Sequence, residues 1–79
     1  MIPPHYLDQL ALIRNQAYFD AKRGHVELGY LELRRGWERA CLLTEPWSEA
    51  LSQRWEQTIA EFLDSNPDFT PARHHPASA

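Results

Sequence analysis

A single cysteine, Cys41, stands in a chain of 79 residues. No disulfide can form within the chain, so a domain this small must hold itself by apolar packing, with a partner where packing alone falls short. A lone thiol suits a reducing compartment, and we expect a cytoplasmic protein. Glycine is scarce as well, at three residues. No glycine-rich phosphate loop and no G-x-S-x-G elbow occurs. Long apolar runs are missing, which gives neither a signal peptide nor a membrane span as an expectation. Positive charge is in deficit, with 8 Lys and Arg against 11 Asp and Glu and a net charge of −3. That sign disfavours broad contact with a phosphate backbone, so nucleic acid is not the expected partner.

Ligand spacings for metal are absent too. His5, His25, Cys41, His74 and His75 form no C-x-x-C, H-x-x-x-H or E-x-x-H, and no metal or cofactor is expected. Cys41 with His25 or His5 would be the nucleophile and base of any catalytic pair. Cys41 lies beside an apolar stripe, where a free cysteine is expected to pack as a small buried hydrophobe. Glu27, Glu32 and Glu38 sit among arginines and read as a wet helix face. The expectation is a protein that is not an enzyme.

What the chain does have is helical periodicity. Hydrophobic residues make up 43% of it, with three Trp, three Tyr and three Phe, enough to fold with aromatics carrying much of the burial. The clearest signal runs from Thr44 to Leu63. Trp47, Leu51, Trp55, Ile59 and Phe62 recur there at steps of four and three, with Thr44 as the expected cap and Pro46 in the first turn. An earlier helix starts at Pro4, where a missing N–H costs nothing. It carries Tyr6, Leu10, Ile13 and Ala17 on one face and ends at Gly24 in a left-handed cap. Between these, Val26, Tyr30, Leu33, Trp37 and Ala40 predict a central helix from His25 to Leu43, with Leu28, Leu31 and Leu42 widening its buried face. Gly29 and Gly36 weaken this helix but let another backbone come close. The rival reading makes Val26-Glu27-Leu28 and Leu31-Glu32-Leu33 the strands of a hairpin, though no good two-residue turn pair lies between them.

Asn66-Pro67 stops the third helix. The expected domain is 1–66, followed by a flexible tail at 67–79 that contains proline and histidine, with Phe69 pinned back on the helices. Short links make neighbours antiparallel, so the fold class is all-α, a small three-helix antiparallel bundle built as a helical hairpin plus a third helix.

Two features point outward. Lys22, Arg23, Arg34, Arg35 and Arg39 gather around the second helix, while the third carries Glu45, Glu49, Glu56, Glu61 and Asp64 against Arg54. Seven of the 8 basic residues are arginine, which favours bidentate contact with carboxylates on a protein surface. The bland alternative is a basic edge facing an acidic one inside the molecule. Three helices also have little room for Trp37, Trp47 and Trp55 together with Tyr6, Tyr18, Tyr30 and Phe62. At least one large aromatic should reach the surface, as at an interface.

Some local sequence looks familiar. Lys22-Arg23-Gly24-His25-Val26-Glu27-Leu28 resembles the R-G-x-x-E-L signature of the small assembly factors that help attach FAD to the succinate dehydrogenase flavoprotein. Phe62-Leu63-Asp64-Ser65-Asn66-Pro67-Asp68-Phe69 is similar to that family's later L-L-x-x-D-D-P-D-L segment. The resemblance implies a helical protein docking on a flavoprotein, with Gly24 and Glu27 in the contact. The gap between the two segments is longer here by about two helical turns, and the family's following helix is replaced by the tail. Ala17-Tyr18, Gly24, Gly29-Tyr30 and Ala40 also look like one tetratricopeptide hairpin, with a spacing off by about one turn.

The reading is therefore a small non-enzymatic interaction module, an accessory subunit, adaptor or small chaperone. It would dock another protein with an acidic or apolar surface through Arg34, Arg35, Arg39, Trp37, Trp47 and Trp55. The alternatives are a self-associating homodimer, a flavoprotein assembly factor, and a nucleic-acid-linked regulator using Arg34, Arg35 and Arg39.

Overall fold

The computed structural model describes residues 1–71. Three helices follow in order: α1 Pro4–Lys22, α2 Val26–Cys41 and α3 Ser48–Ser65. The 26–33 segment is helical throughout, which removes the strand hairpin.

The turn between α1 and α2 forms as the sequence predicts. Gly24 has a φ of 90°, a conformation that L side chains resist. His25 N–H donates to Asp20 C=O at 2.8 Å and Gly24 N–H to Ala21 C=O at 3.0 Å. These are the two bonds of a Schellman motif, which satisfies carbonyls that the helix end leaves bare.

The start of α3 differs from expectation. Thr44 does not cap it. Glu45 to Ser48 instead form a turn closed by Ser48 N–H and Oγ–H, both donating to Glu45 C=O, at 3.0 and 2.7 Å. The turn lays the Trp47 ring against Tyr6, centroids 4.8 Å apart. At the far end, Asn66 Nδ2 donates to Phe62 C=O at 2.8 Å and Pro67 follows.

Leu10, Ala17, Leu33, Ala40, Leu51, Trp55 and Phe62 form the buried core. Helix α2 lies between the other two and packs on both. Helices α1 and α3 meet mainly through aromatics, Tyr6 on Trp47 at one end and Tyr18 edge-on to Phe62 at the other, centroids 5.2 Å apart. Early α1 meets early α3, so the chain runs up, down and up.

Both glycines of α2 are buried at crossings. A Cβ on Gly29 would stand 2.6 Å from the Ala17 carbonyl oxygen of α1 and 3.1 Å from Phe62. That is the close backbone approach the sequence suggested. At Gly36 the neighbour is instead the Trp55 ring, which occupies the space a side chain would need.

The tail expected from residue 67 is described only as far as Pro71. Phe69 N–H donates to Asn66 C=O at 3.0 Å, and its ring sits 5.6 Å from that of Tyr30, as expected. His74, His75 and the remainder of the tail lie outside the described residues.

Candidate docking surface

The consecutive residues Arg34 and Arg35 point to opposite flanks of α2, since each step along a helix turns by about 100°. Arg34 turns toward α3. Its Nη1 donates to Tyr30 Oη at 3.1 Å, and its guanidinium lies over the Tyr30 and Trp37 rings at 5.9 and 5.2 Å. Trp37 is half-buried and its Nε1 donates to Glu56 Oε2 of α3 at 3.1 Å. These contacts tie the flank to α3, although the Arg34 Nε is buried without a partner among the described residues and an open hollow of about 190 Å³ remains among Arg34, Trp37, Glu56 and Ile59.

Arg35 and Arg39 turn the other way and are exposed. With Leu12, Ile13 and Gln16 of α1 and Glu32 of α2 they line an open groove of about 370 Å³. An apolar notch of about 130 Å³, bordered by Gly36, Ala40, Leu51 and Trp55, adjoins it through Ile13 and Arg39. The groove's surroundings are apolar. Leu12 is 69% exposed and Phe19, seven residues on, is also exposed. Seven residues are two helical turns, so the two share a face. On α2, Leu28, Leu31 and Leu42 are exposed, Leu42 to 80%.

That row overturns the expectation that Leu28, Leu31 and Leu42 widen the buried face. The face of α2 turned to the core is filled by Gly29, Leu33, Gly36 and Ala40. The leucines fall about a third of a turn or more away from that direction, Leu31 and Leu42 almost opposite it, and Leu28 and Leu31 border a separate hollow at the α1–α2 turn. Leu12 and Phe19 went unnoticed in the sequence, although their spacing of seven, offset from the Tyr6-Leu10-Ile13-Ala17 stripe, marks a second apolar line on α1.

The six residues chosen from sequence thus separate. Arg35 and Arg39 share the groove. Arg34 and Trp37 share the flank tied to α3. Trp47 is half-buried against Tyr6. Trp55 is 3% exposed in the core, where Gly36 leaves room for its indole, and it meets the groove side only at the border of the notch. The large aromatic at the surface is Phe19, with Arg23 over its ring at 5.5 Å.

Cys41 is exposed, not packed as a small hydrophobe. His25 and Cys41 bracket α2 from end to end, about 24 Å apart at the helical rise, so they form no nucleophile–base pair. His5 stacks on Tyr6 at 4.2 Å. Among the described residues no three His, Cys, Asp or Glu side chains are grouped to hold a metal ion, and no helix is long and apolar enough to cross a membrane.

Gly24 and Glu27, which the flavoprotein-factor resemblance would put in contact, are exposed at the α1–α2 turn. With Leu28 and Leu31 they border a shallow hollow. No protein-family model matches the chain, and no curated protein and no solved structure does. What it does must be read from its own surface.

Proposed function

We propose that this protein is a non-enzymatic docking module that binds another protein along the α1–α2 groove. One observation carries the reading: an open groove between α1 and α2 sets the exposed Leu12 and the partly exposed Ile13 beside the exposed Arg35 and Arg39, and four more large apolar side chains of the hairpin, Phe19, Leu28, Leu31 and Leu42, are exposed as well. Isolated exposed leucines are ordinary, but so many on one small hairpin, with basic groups between them, favour an interaction surface. The groove suits an amphipathic segment with apolar anchors and carboxylates. The anchors would lie against Leu12 and Ile13, one of them entering the notch. The carboxylates would meet Arg35 and Arg39 in bidentate contacts. The groove residues of α2 are carried by the same helix whose opposite flank is tied to α3, so the surface is held rigid before a partner arrives.

The acidic outer face of α3, with Glu49, Glu61 and Asp64 exposed, gives a second reading some support. One copy's α3 could meet another copy's groove. Light scattering across a concentration series separates the two. A monomer at all concentrations removes self-association and leaves the first reading intact.

The test is affinity capture from the native host with the wild-type protein, a groove variant (L12E/R35E/R39E) and a control variant on the outer face of α3 (Q53E/Q57E). A partner kept by the wild type and the control but lost by the groove variant, with all three folded by circular dichroism, is the expected result. A partner retained by the groove variant overturns the reading.

A further inference from the structure

Where α1 meets α2, beside the groove, two carboxyl groups each keep a shielded oxygen without a partner among the described residues. Asp20 of α1 is 8% exposed. Its Oδ1 accepts from Gln16 Nε2 at 3.3 Å, while its Oδ2 is shielded from solvent and has no hydrogen-bond partner. Glu32 of α2 is half-buried, and its Oε1 is shielded and unpartnered as well. Glu32 feels the Asp20 carboxyl of α1 across the seam, and Gln16, which bonds Asp20, lines the same groove as Glu32. Two carboxylates have only lone pairs to offer each other, and a buried acceptor left bare is costly. One proton between them removes both problems, since a carboxylic acid O–H can donate to a carboxylate.

We propose that Asp20 and Glu32 share a proton, Glu32 holding it and Asp20 accepting the bond, and that this pair couples the α1–α2 seam to pH. The charged groups around the pair are basic. From α1 come the Gln16 amide and, one turn beyond Asp20, the exposed Arg23. From α2 come Arg35, which opposes protonation of Glu32, and Arg39 along the same groove. The exposed His25 of the connecting turn donates its backbone N–H to the Asp20 carbonyl. The environment raises the Glu32 pKa above the usual carboxylate range. Burial is the largest cause, then the Asp20 charge and the hydrogen bond to Asp20.

A group whose pKa is raised on folding stabilises the fold below its unfolded pKa. That contribution is lost as pH rises through the folded value. With the proton released to solvent, two negative charges share the seam. Repulsion then loosens α1 from α2. The inference concerns the free protein and does not depend on the docking reading.

The direct test is a ¹³C NMR titration of the side-chain carboxyls of the full chain. Glu32 is expected to titrate above the ordinary carboxylate range, and D20N to move it part of the way back by removing the neighbouring charge. Glu32 titrating within that range, or indifferent to D20N, overturns the proposal. Thermal unfolding supplies a second readout. The side-chain amide introduced by E32Q offers Asp20 a permanent N–H donor, so the wild-type midpoint should fall relative to E32Q across the pH range above the ordinary carboxylate value. Midpoints that run parallel across this range contradict the pairing.

Discussion

The two flanks of α2 are built from the same kinds of residue and do opposite things. On the α3 side, Arg34 bonds Tyr30 and lies over the Trp37 ring, and Trp37 reaches Glu56, though the Arg34 Nε stays buried without a partner. On the groove side, Arg35 and Arg39 are exposed beside Leu12 and Ile13. The clustering of arginine in the sequence spans both flanks, and only the turn of the helix sorts it into one set tied to α3 and one open set. A charge run along a helix is therefore not a patch until its residues are assigned to faces.

The comparison can be broken at several points. The core beneath both flanks depends on Trp55, buried over Gly36. Trp55→Ala should cost about 3–5 kcal/mol, enough to abolish a cooperative urea transition in a domain of this size. A residual sharp transition would show that the crossing matters less than its burial suggests.

Next come the two glycines. Adding a methyl group at Gly29 or Gly36 overpacks the crossing and should cost about 1–3 kcal/mol. Gly29→Ala should be the worse of the pair, because it meets the Ala17 backbone carbonyl, whereas the Trp55 ring facing Gly36 is a side chain that can turn. Urea midpoints for the two variants rank them, and the reverse order would mean that α1 yields more easily than the indole.

The α3 side is sharpened by Trp37→Phe, which keeps most of the ring but removes the bond to Glu56. The bond is exposed, so the loss should be about 0.5 kcal/mol, the low end for a hydrogen bond. In E56Q the same variant should then cost less, since the charged acceptor is already gone. The smallest effects belong to the open flank. Leu31→Gln and Leu42→Gln should each change unfolding free energy by no more than about 0.5 kcal/mol. A larger loss at Leu42 would mean that it is covered in solution.

Much of the fold was legible from apolar spacing. Tyr6, Leu10, Ile13 and Ala17 on α1, and Leu51, Trp55 and Phe62 on α3, pack inward as their steps of three and four require. Gly24 and Asn66-Pro67 end α1 and α3 where their backbone preferences place them. The second leucine row of α2 misled, because apolar character reports a preference for burial and not which side a neighbour covers. The small residues Gly29, Gly36 and Ala40 mark the true inner face of α2, and they add almost nothing to an apolar count. The start of α3 was misplaced because Thr44 resembles a cap, while the contact between Trp47 and Tyr6 selects a turn at Glu45 to Ser48 instead. Arg35 and Arg39 stood out in the sequence only together with Arg34. Their separation needed the helix register, and the Asp20–Glu32 contact needed the pairing of α1 with α2, which no local spacing encodes.

The central claim is that the α1–α2 flank is open in the free protein and covered in its complex. Hydroxyl-radical footprinting by residue, on the purified chain and on the complex recovered by affinity capture, measures this directly. Leu12, Phe19, Leu28 and Leu31 should label heavily in the free chain and lose that labelling in the complex, while Trp55 and Phe62 stay protected in both. Undiminished labelling of those four residues in the complex would contradict the account.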